Sequence, residues 1–469
     1  MSVGPEAGPS LDCFTAAGLA ASDARAWADS EPLKTGGFDT DCIAFQDFWR
    51  QSRSLLIRLP KKPQRNAVEH AAAEMLKQRT RKSRTLFIRA HADRVYDSLT
   101  SSRSQFLRIG ELVTVAAAKY PGLVPTAEEL APEDSLPLRD KEGLEIDQGL
   151  LISGIISAKR AGRHLCQAML LPRPEALDLL PRFIERGAID LETAAVERGN
   201  NCLILTINNP RFLNAEDETT IDALEICVDL ALLDQSRAIV VLRGGPVSHP
   251  KYGGRRVFGS GINLTHLYQG RIPYLWYLQR DLGFVHKLYR GLTRPDEPLE
   301  DVTGDTLEKP WIAALEGFAI GGHCQLLLTV DVVIAERNAF MSLPARKEGI
   351  IPGLANLRLP RFTGERLARQ AIQLERRIEC NTPEGRLLCD ELVDPGNMDA
   401  AIERIAGALS SSGVVSAAAN RRAFRVTQEP IDTFRSYCAV YAREQAYCHF
   451  SPSLIANLER NWVRQDRLS

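Results

Sequence analysis

The sequence lacks a CxxC pair, a long apolar run and any excess of one charge. Its ten cysteines are scattered from Cys13 to Cys448. That is poor spacing for a metal centre, and such thiols in a large intracellular protein usually stay reduced. No apolar run reaches the roughly 20 residues that a membrane-crossing helix needs. The opening MSVGPEAGPSLDCF has neither a basic start nor an apolar stretch, so a cytoplasmic protein without a secretory leader is expected. Lys plus Arg number 58 against 59 Asp plus Glu, a net charge of −1. A nucleic-acid binder would normally be strongly basic, so no nucleic-acid partner and no membrane partner are expected. No GxGxxG follows a strand-like segment, so a dinucleotide cofactor is not indicated. The eight histidines form no HxH and no compact two-histidine-one-carboxylate set; His91-Ala92-Asp93 is the nearest approach, and no metal is expected.

What is present is a chain of 469 residues, 44% hydrophobic and 25% charged, long enough for two or three domains and a sizeable core. Residues 40 to 190 look helical throughout. Leu55, Leu59, Val68, Ala72 and Leu76 recur near helical spacing, as do Ile109, Leu112, Val113 and Ala116. The run Lys77, Arg79, Arg81, Lys82, Arg84 reads as a solvated helix face. From about Leu191 the pattern changes. Cys202–Ile207, Ala238–Leu242, Trp311–Leu315 and Val330–Ala335 are short aliphatic runs bounded by turn residues, with a helical segment from Thr219 to Leu233 between the first two. After about Thr363 the chain reads as helical again. The expectation is an α/β protein with a helical domain over 1–190, a strand-containing core over 191–365 and a helical region over 366–469.

Two glycine-bearing loops carry the chemistry. Phe258-Gly259-Ser260-Gly261-Ile262-Asn263 is the first, and Glu316-Gly317-Phe318-Ala319-Ile320-Gly321-Gly322-His323-Cys324-Gln325 the second. Glycines let backbone N–H groups approach a ligand closely, and two facing loops would supply two donors to a developing oxyanion. Either loop alone is more often just a tight turn.

In this order, and with Asn209-Pro210-Arg211-Phe212-Leu213-Asn214-Ala215 before them and Ile351-Pro352-Gly353 after, the loops resemble the crotonase (enoyl-CoA hydratase/isomerase) superfamily. The resemblance implies a crotonase-like spiral of repeated strand-strand-helix units, a coenzyme A thioester ligand, and the N–H groups of Ile262 and Gly322 as oxyanion donors. It also implies a homo-oligomer, trimer or hexamer. In this sequence Gln325 and Ala345 stand where typical hydratases carry two glutamates. An amide and a methyl group cannot shuttle a water's protons, so neither hydration nor carboxylate-based isomerisation is expected.

Together with the long helical N-terminal region, these departures resemble a branch of the family that oxidises an arylacetyl-CoA with O2 and no cofactor, in antibiotic biosynthesis. Carried over, its pocket residues fall on Glu216 (with Asp217 and Glu218 adjoining), Arg280 and Gln325. Arg211, His249, Pro250, Lys251 and Tyr252 fall in segments that hold the thioester and its coenzyme A arm. So do Ser260, Gly261, Asn263, Leu264, Thr265 and Gly321. Ile350 and Ile351 are candidates for the wall of a dry oxygen pocket, or ordinary core residues. His323 and His266 read as structural. Two rival readings stand beside this one: a hydrolase that cleaves an arylacetyl-CoA without oxygen, and a thioester-binding protein without catalysis.

Overall fold

The computed structural model of the chain describes residues 11–412 and 414–461; residues 1–10, read above for a leader, lie outside them. The chain packs as two compact units. One comprises the chain up to Leu165 with Cys438–Phe450, and the other Cys166–Tyr437 with the chain from Ser451 on.

The first unit is helical and is built around Ala67–Leu99, a helix of 33 residues. Asn66 starts it with a capping box, its side chain accepting from Val68 and Glu69 N–H while Glu69 reaches back to the Asn66 N–H. The helix is packed on several sides, so of the basic run that the sequence suggested as a solvated face only Lys82 is exposed. Lys77 and Arg81 are buried, and Arg84 is bonded to Asp147 at 2.7 Å and Arg79 to Glu31. Only an internal set of carboxylates makes such burial tolerable. His91 likewise does not join Asp93; its Nε2 lies 2.7 Å from Asp41 Oδ2. No helix among the described residues is long and apolar enough to cross a membrane.

Among the described residues the second unit holds ten strands: β1 (Ala188–Asp190), β2 (Ala194–Arg198), β3 (Leu203–Ile207), β4 (Val240–Gly244), β5 (Trp311–Leu315), β6 (Phe318–Ile320), β7 (Val332–Glu336), β8 (Phe340–Ser342), β9 (Ile378–Glu379) and β10 (Glu391–Val393). Seven form one sheet in the order β1-β2-β3-β4-β5-β7-β10, and β6-β8-β9 form a second. The large sheet is antiparallel from β1 to β3 and parallel from β3 to β10. Strands β4 and β5 are buried at every position, which explains their unbroken apolar runs. Val241, Ile312, Ala314 and Ile334 pack there against Ile402 and Ala406 of the helix Met398–Ser412.

The chain passes between the two sheets in a repeating way. Strand β5 lies in the large sheet and β6 in the small one, followed by the helix Gly322–Leu327; β7 and β8 repeat the step before the helix Ala355–Gln373. This is the strand-strand-helix spiral of the crotonase fold. The short strands β1, β2, β6, β8, β9 and β10 had no counterpart in the sequence pattern. Spans of two to five residues are too short to display a period of two.

Candidate active site

The first glycine loop is an added strand of irregular pairing. Phe258 and Gly259 donate to Glu316 and Phe318 carbonyls, and Ile320 N–H returns to Gly259 O at 3.0 Å. On its other side the loop pairs in parallel with Glu216, whose N–H donates to Gly261 O and whose carbonyl accepts from Asn263 N–H, both at 2.8 Å. Because the flanking groups take those bonds, the Ile262 N–H points away from Glu216. It has no hydrogen-bond partner among the described residues, and neither has the Gly322 N–H at the start of its helix. Gly261 has φ +84°, and a Cβ there would lie 2.9 Å from Ile320 O and 3.4 Å from Gly322 N. The two loops touch at that point, which only glycine permits.

Beneath the loops lies a buried polar cluster. Arg280, on the helix Leu275–Leu282, donates from Nε to Glu216 Oε2 at 2.5 Å and from Nη2 to Glu216 Oε1 at 3.0 Å. Its Nη1 serves Asp281 Oδ1 at 2.7 Å and Gln325 Oε1 at 3.0 Å, and Nη2 also reaches the Gly322 carbonyl at 2.9 Å. These five bonds use all five guanidinium N–H donors. Burial alone would raise the Glu216 carboxyl, but the Arg280 charge outweighs it and holds the group below its ordinary value. Burial would likewise lower Arg280, yet Glu216 and Asp281 raise it. Arg280 thus stands between two carboxyl groups, and Asp281 also feels the buried Arg358 guanidinium.

Gln325 is oriented by this arrangement. Its oxygen accepts from Arg280, so its amide N–H₂ is turned away as a donor. Gly353, φ +46°, backs it: a Cβ there would lie 2.2 Å from Gln325 Oε1 and 2.7 Å from Asp281 Oδ2. Tyr437 donates its hydroxyl to the Gly353 carbonyl and pins the turn.

The structure thus brings Glu216, Ile262, Arg280, Gly322 and Gln325 together, with Gly261, Gly321 and Asn263 beside them. Leu264 and Thr265 open the helix that Asn263 caps, its Oδ1 accepting from His266 N–H. Ser260 is half-buried and donates to Phe212 O at 3.1 Å. Arg211 is exposed with its guanidinium 5.4 Å over the Phe212 ring, and Pro250 and Lys251 are exposed. His249 and Tyr252 are half-buried, Tyr252 packing edge-on against Phe318 of β6. These surface residues are not joined to the buried cluster by any direct bond. Ile350 and Ile351 are half-buried, and the Ile351 carbonyl accepts the Gly353 N–H.

Sequence reasoning missed Asp281 and the backing of Gln325 by Gly353 and Tyr437. The adjacent Arg280-Asp281 pair was the available signal. Asp217, Glu218 and His266 place one ligand atom each within 4.8 Å of one another. That set is closed by other partners: Arg271 lies against His266 Nε2 and Glu218, and Asn209 and Asn263 donate to Asp217. His266 Nδ1, the ring nitrogen that faces the two carboxylates, is itself bonded to Glu218 Oε2 at 2.9 Å.

A family model of enoyl-CoA hydratase/isomerase matches residues 197–395. Over 405 residues the chain is 47% identical to (3,5-dihydroxyphenyl)acetyl-CoA 1,2-dioxygenase of Amycolatopsis orientalis, covering 86% of this chain and 92% of that protein. The chain belongs to the enoyl-CoA hydratase/isomerase family. Within that family it is also 27% identical over 248 residues to a short-chain-enoyl-CoA hydratase of Clostridium acetobutylicum, 52% of this chain and 86% of that one. A crystal structure of an enoyl-CoA hydratase from Mycobacterium avium subsp. paratuberculosis K-10 aligns with a TM-score of 0.47 at 20% identity, over 58% of this chain and 99% of that one. The match to the dioxygenase extends beyond residues 197–395 into the helical flanks, since it spans 405 residues.

Proposed function

We propose that the protein is a dioxygenase that converts (3,5-dihydroxyphenyl)acetyl-CoA and O2 to 3,5-dihydroxyphenylglyoxylate and CoA without metal or organic cofactor. The observation that carries this reading is the 47% identity over 92% of a dioxygenase of that name. The site geometry agrees with it. Gln325 and Ala345 leave no pair of carboxylates for hydration, whereas two unpartnered N–H groups stand ready for an oxyanion.

The thioester oxygen is held between the N–H groups of Ile262 and Gly322. An α-proton then becomes removable, because the enolate's charge falls on those two donors; losing one typically costs about 10²–10³ in rate. The enolate, conjugated to an electron-rich ring, passes an electron to O2. A peroxide forms at Cα and its terminal oxygen attacks the thioester carbonyl, expelling CoA as the thiolate. Cleavage of the O–O bond leaves the α-keto acid. Both oxygen atoms of O2 enter the product, and the two α-hydrogens leave as protons.

The ring contacts belong to Glu216 and Gln325. Arg280 has no donor left over, so its part is to hold those two side chains. The carboxylate accepts from one ring hydroxyl, and the Gln325 N–H₂ donates to a ring oxygen. The Glu216 carboxylate disfavours a second negative charge on the hydroxyl it accepts from, so that hydroxyl stays neutral until the ring is oxidised. Ile350 and Ile351 line the dry side of the enolate, where oxygen is kept from water. The exposed Arg211 and Lys251 meet the coenzyme A phosphates. The assembly is a homo-oligomer, trimer or hexamer, to be read by light scattering.

The test is aerobic incubation of metal-stripped protein with (3,5-dihydroxyphenyl)acetyl-CoA, following dissolved O2 and free thiol together. Equal consumption and release are expected. Thiol release with O2 untouched would make the protein a hydrolase and remove the oxygen chemistry.

A further inference from the structure

His323 follows Gly322 directly, so its Cα is one residue from one oxyanion donor. Its ring reaches the other: Nδ1 lies 3.0 Å from the Gly261 backbone nitrogen, and Gly261 precedes Ile262. The ring is wholly buried and lies flat against the loop, since a Cβ on Gly259 would sit 2.1 Å from its Cδ2 and 2.2 Å from its Nε2. Phe258 packs edge-on at 6.0 Å. One side chain therefore spans Gly259 to Gly261, the floor of the first loop, while its backbone belongs to the second.

The chemistry of the bond fixes the ring's state. A backbone N–H can only donate, so Nδ1 is the acceptor and the neutral ring carries its proton on Nε2. Nε2 is buried without a hydrogen-bond partner among the described residues. Protonating Nδ1 would set two donors face to face and push Gly261 away. Burial, opposed by Glu216 and aided by Arg280, brings the imidazole down to about 4 and agrees with a neutral ring.

We infer that His323 is a positioning residue for the oxyanion hole: as the Nε2–H tautomer it holds the Gly261 amide, and through it aims the Ile262 N–H at the same point as the Gly322 N–H. It touches neither substrate nor reacting atoms. The inference rests on the thioester reading above and adds to it the element that keeps the two donors in register.

An asparagine places its Oδ1 near the position of Nδ1, whereas glutamine places its amide near Nε2 and leaves Gly261 without an acceptor. His323→Asn and His323→Gln are therefore compared in anaerobic D2O with (3,5-dihydroxyphenyl)acetyl-CoA, reading α-deuterium uptake by NMR. His323→Gln is expected to lose about 10²-fold in kcat for exchange with KM little changed, the loss of one donor. His323→Asn is expected to recover to within roughly tenfold of the unsubstituted protein, with both variants folded by circular dichroism. Equal rates in the two folded variants would overturn the assignment. A second measurement needs no variant: in ¹⁵N-histidine-labelled protein, His323 should show a protonated Nε2 and a bare Nδ1 from pH 5 to 8. A protonated Nδ1, or titration near pH 6.5, would also overturn it. If the unsubstituted protein exchanges no α-proton, the thioester reading fails instead, and the tautomer measurement still decides the place of His323.

Discussion

The oxygen of Gln325 and the Nη1 of Arg280 meet at 3.0 Å, and this one contact decides which end of the amide faces outward. A glutamate at 325 could still accept from Arg280, but it would offer no donor in return. It would also be a third carboxylate beside Glu216 and Asp281. Gln325→Glu is expected to lower oxygen consumption at least tenfold. It should not create hydration of crotonyl-CoA, because Ala345 still supplies no second carboxylate. The loss of crotonyl-CoA absorbance measures that, and its appearance would contradict the assignment of the two positions.

Glu216 and Arg280 are both buried, so removing one strands the other. Arg280→Met should cost about 3–5 kcal/mol of stability, whereas the double variant Glu216→Gln, Arg280→Met should recover much of it. Denaturant unfolding reads both. Glu216→Gln alone should fold and turn over slowly; an unchanged rate would take Glu216 out of the mechanism.

Gly322 has no room for a side chain. A Cβ there would lie 2.9 Å from Glu216 Oε2 and 3.0 Å from Arg280 Nη2. Gly322→Ala is expected to shift the donor and cut turnover by about 10²–10³, with the circular dichroism spectrum retained. Gly407, on the helix Met398–Ser412 with nothing nearer than 3.7 Å to a Cβ, serves as the contrasting glycine, and Gly407→Ala should leave turnover alone.

Glu348 is buried, and burial pushes its carboxyl up to about 8, little offset by Lys347. It is protonated in the folded protein at neutral pH, while the unfolded chain ionises above about 4.5. Stability from this site is therefore full below that value and is lost progressively as the pH rises toward 8. Glu348→Gln should raise the melting temperature at pH 8 and leave it unchanged at pH 4. A pH-independent difference between the two proteins would contradict the burial argument.

How much of this is legible in the sequence depends on the kind of signal. Trp311–Leu315 reads to the residue because a strand buried on both faces announces itself as an apolar run. Strand β9 does not, for Ile378 and Glu379 carry no pattern at all. The two glycine loops are readable as motifs, and the structure places them in contact. Their partners are less so. Glu216 and Arg280 lie 64 positions apart, and no local pattern marks two charges that meet only through the fold. Asp281 does adjoin Arg280, but neighbouring opposite charges are commonplace and nothing local marks this pair as buried. The basic run from Lys77 to Arg84 misleads because charge suggests solvent, and the carboxylates that bury it come from Glu31, Glu142 and Asp147.

One residue serves both ends of the site. The backbone of Glu216 is bonded to the loop that carries Ile262, while its carboxylate grips Arg280. In the reading proposed above, the first end meets the thioester oxygen and the second meets the ring. The span between them is then the reach of a single glutamate side chain, fixed at both tips. Such a part works as a ruler. On that reading a homologue with one more methylene would present either its carbonyl or its ring hydroxyls out of place, and its turnover should fall.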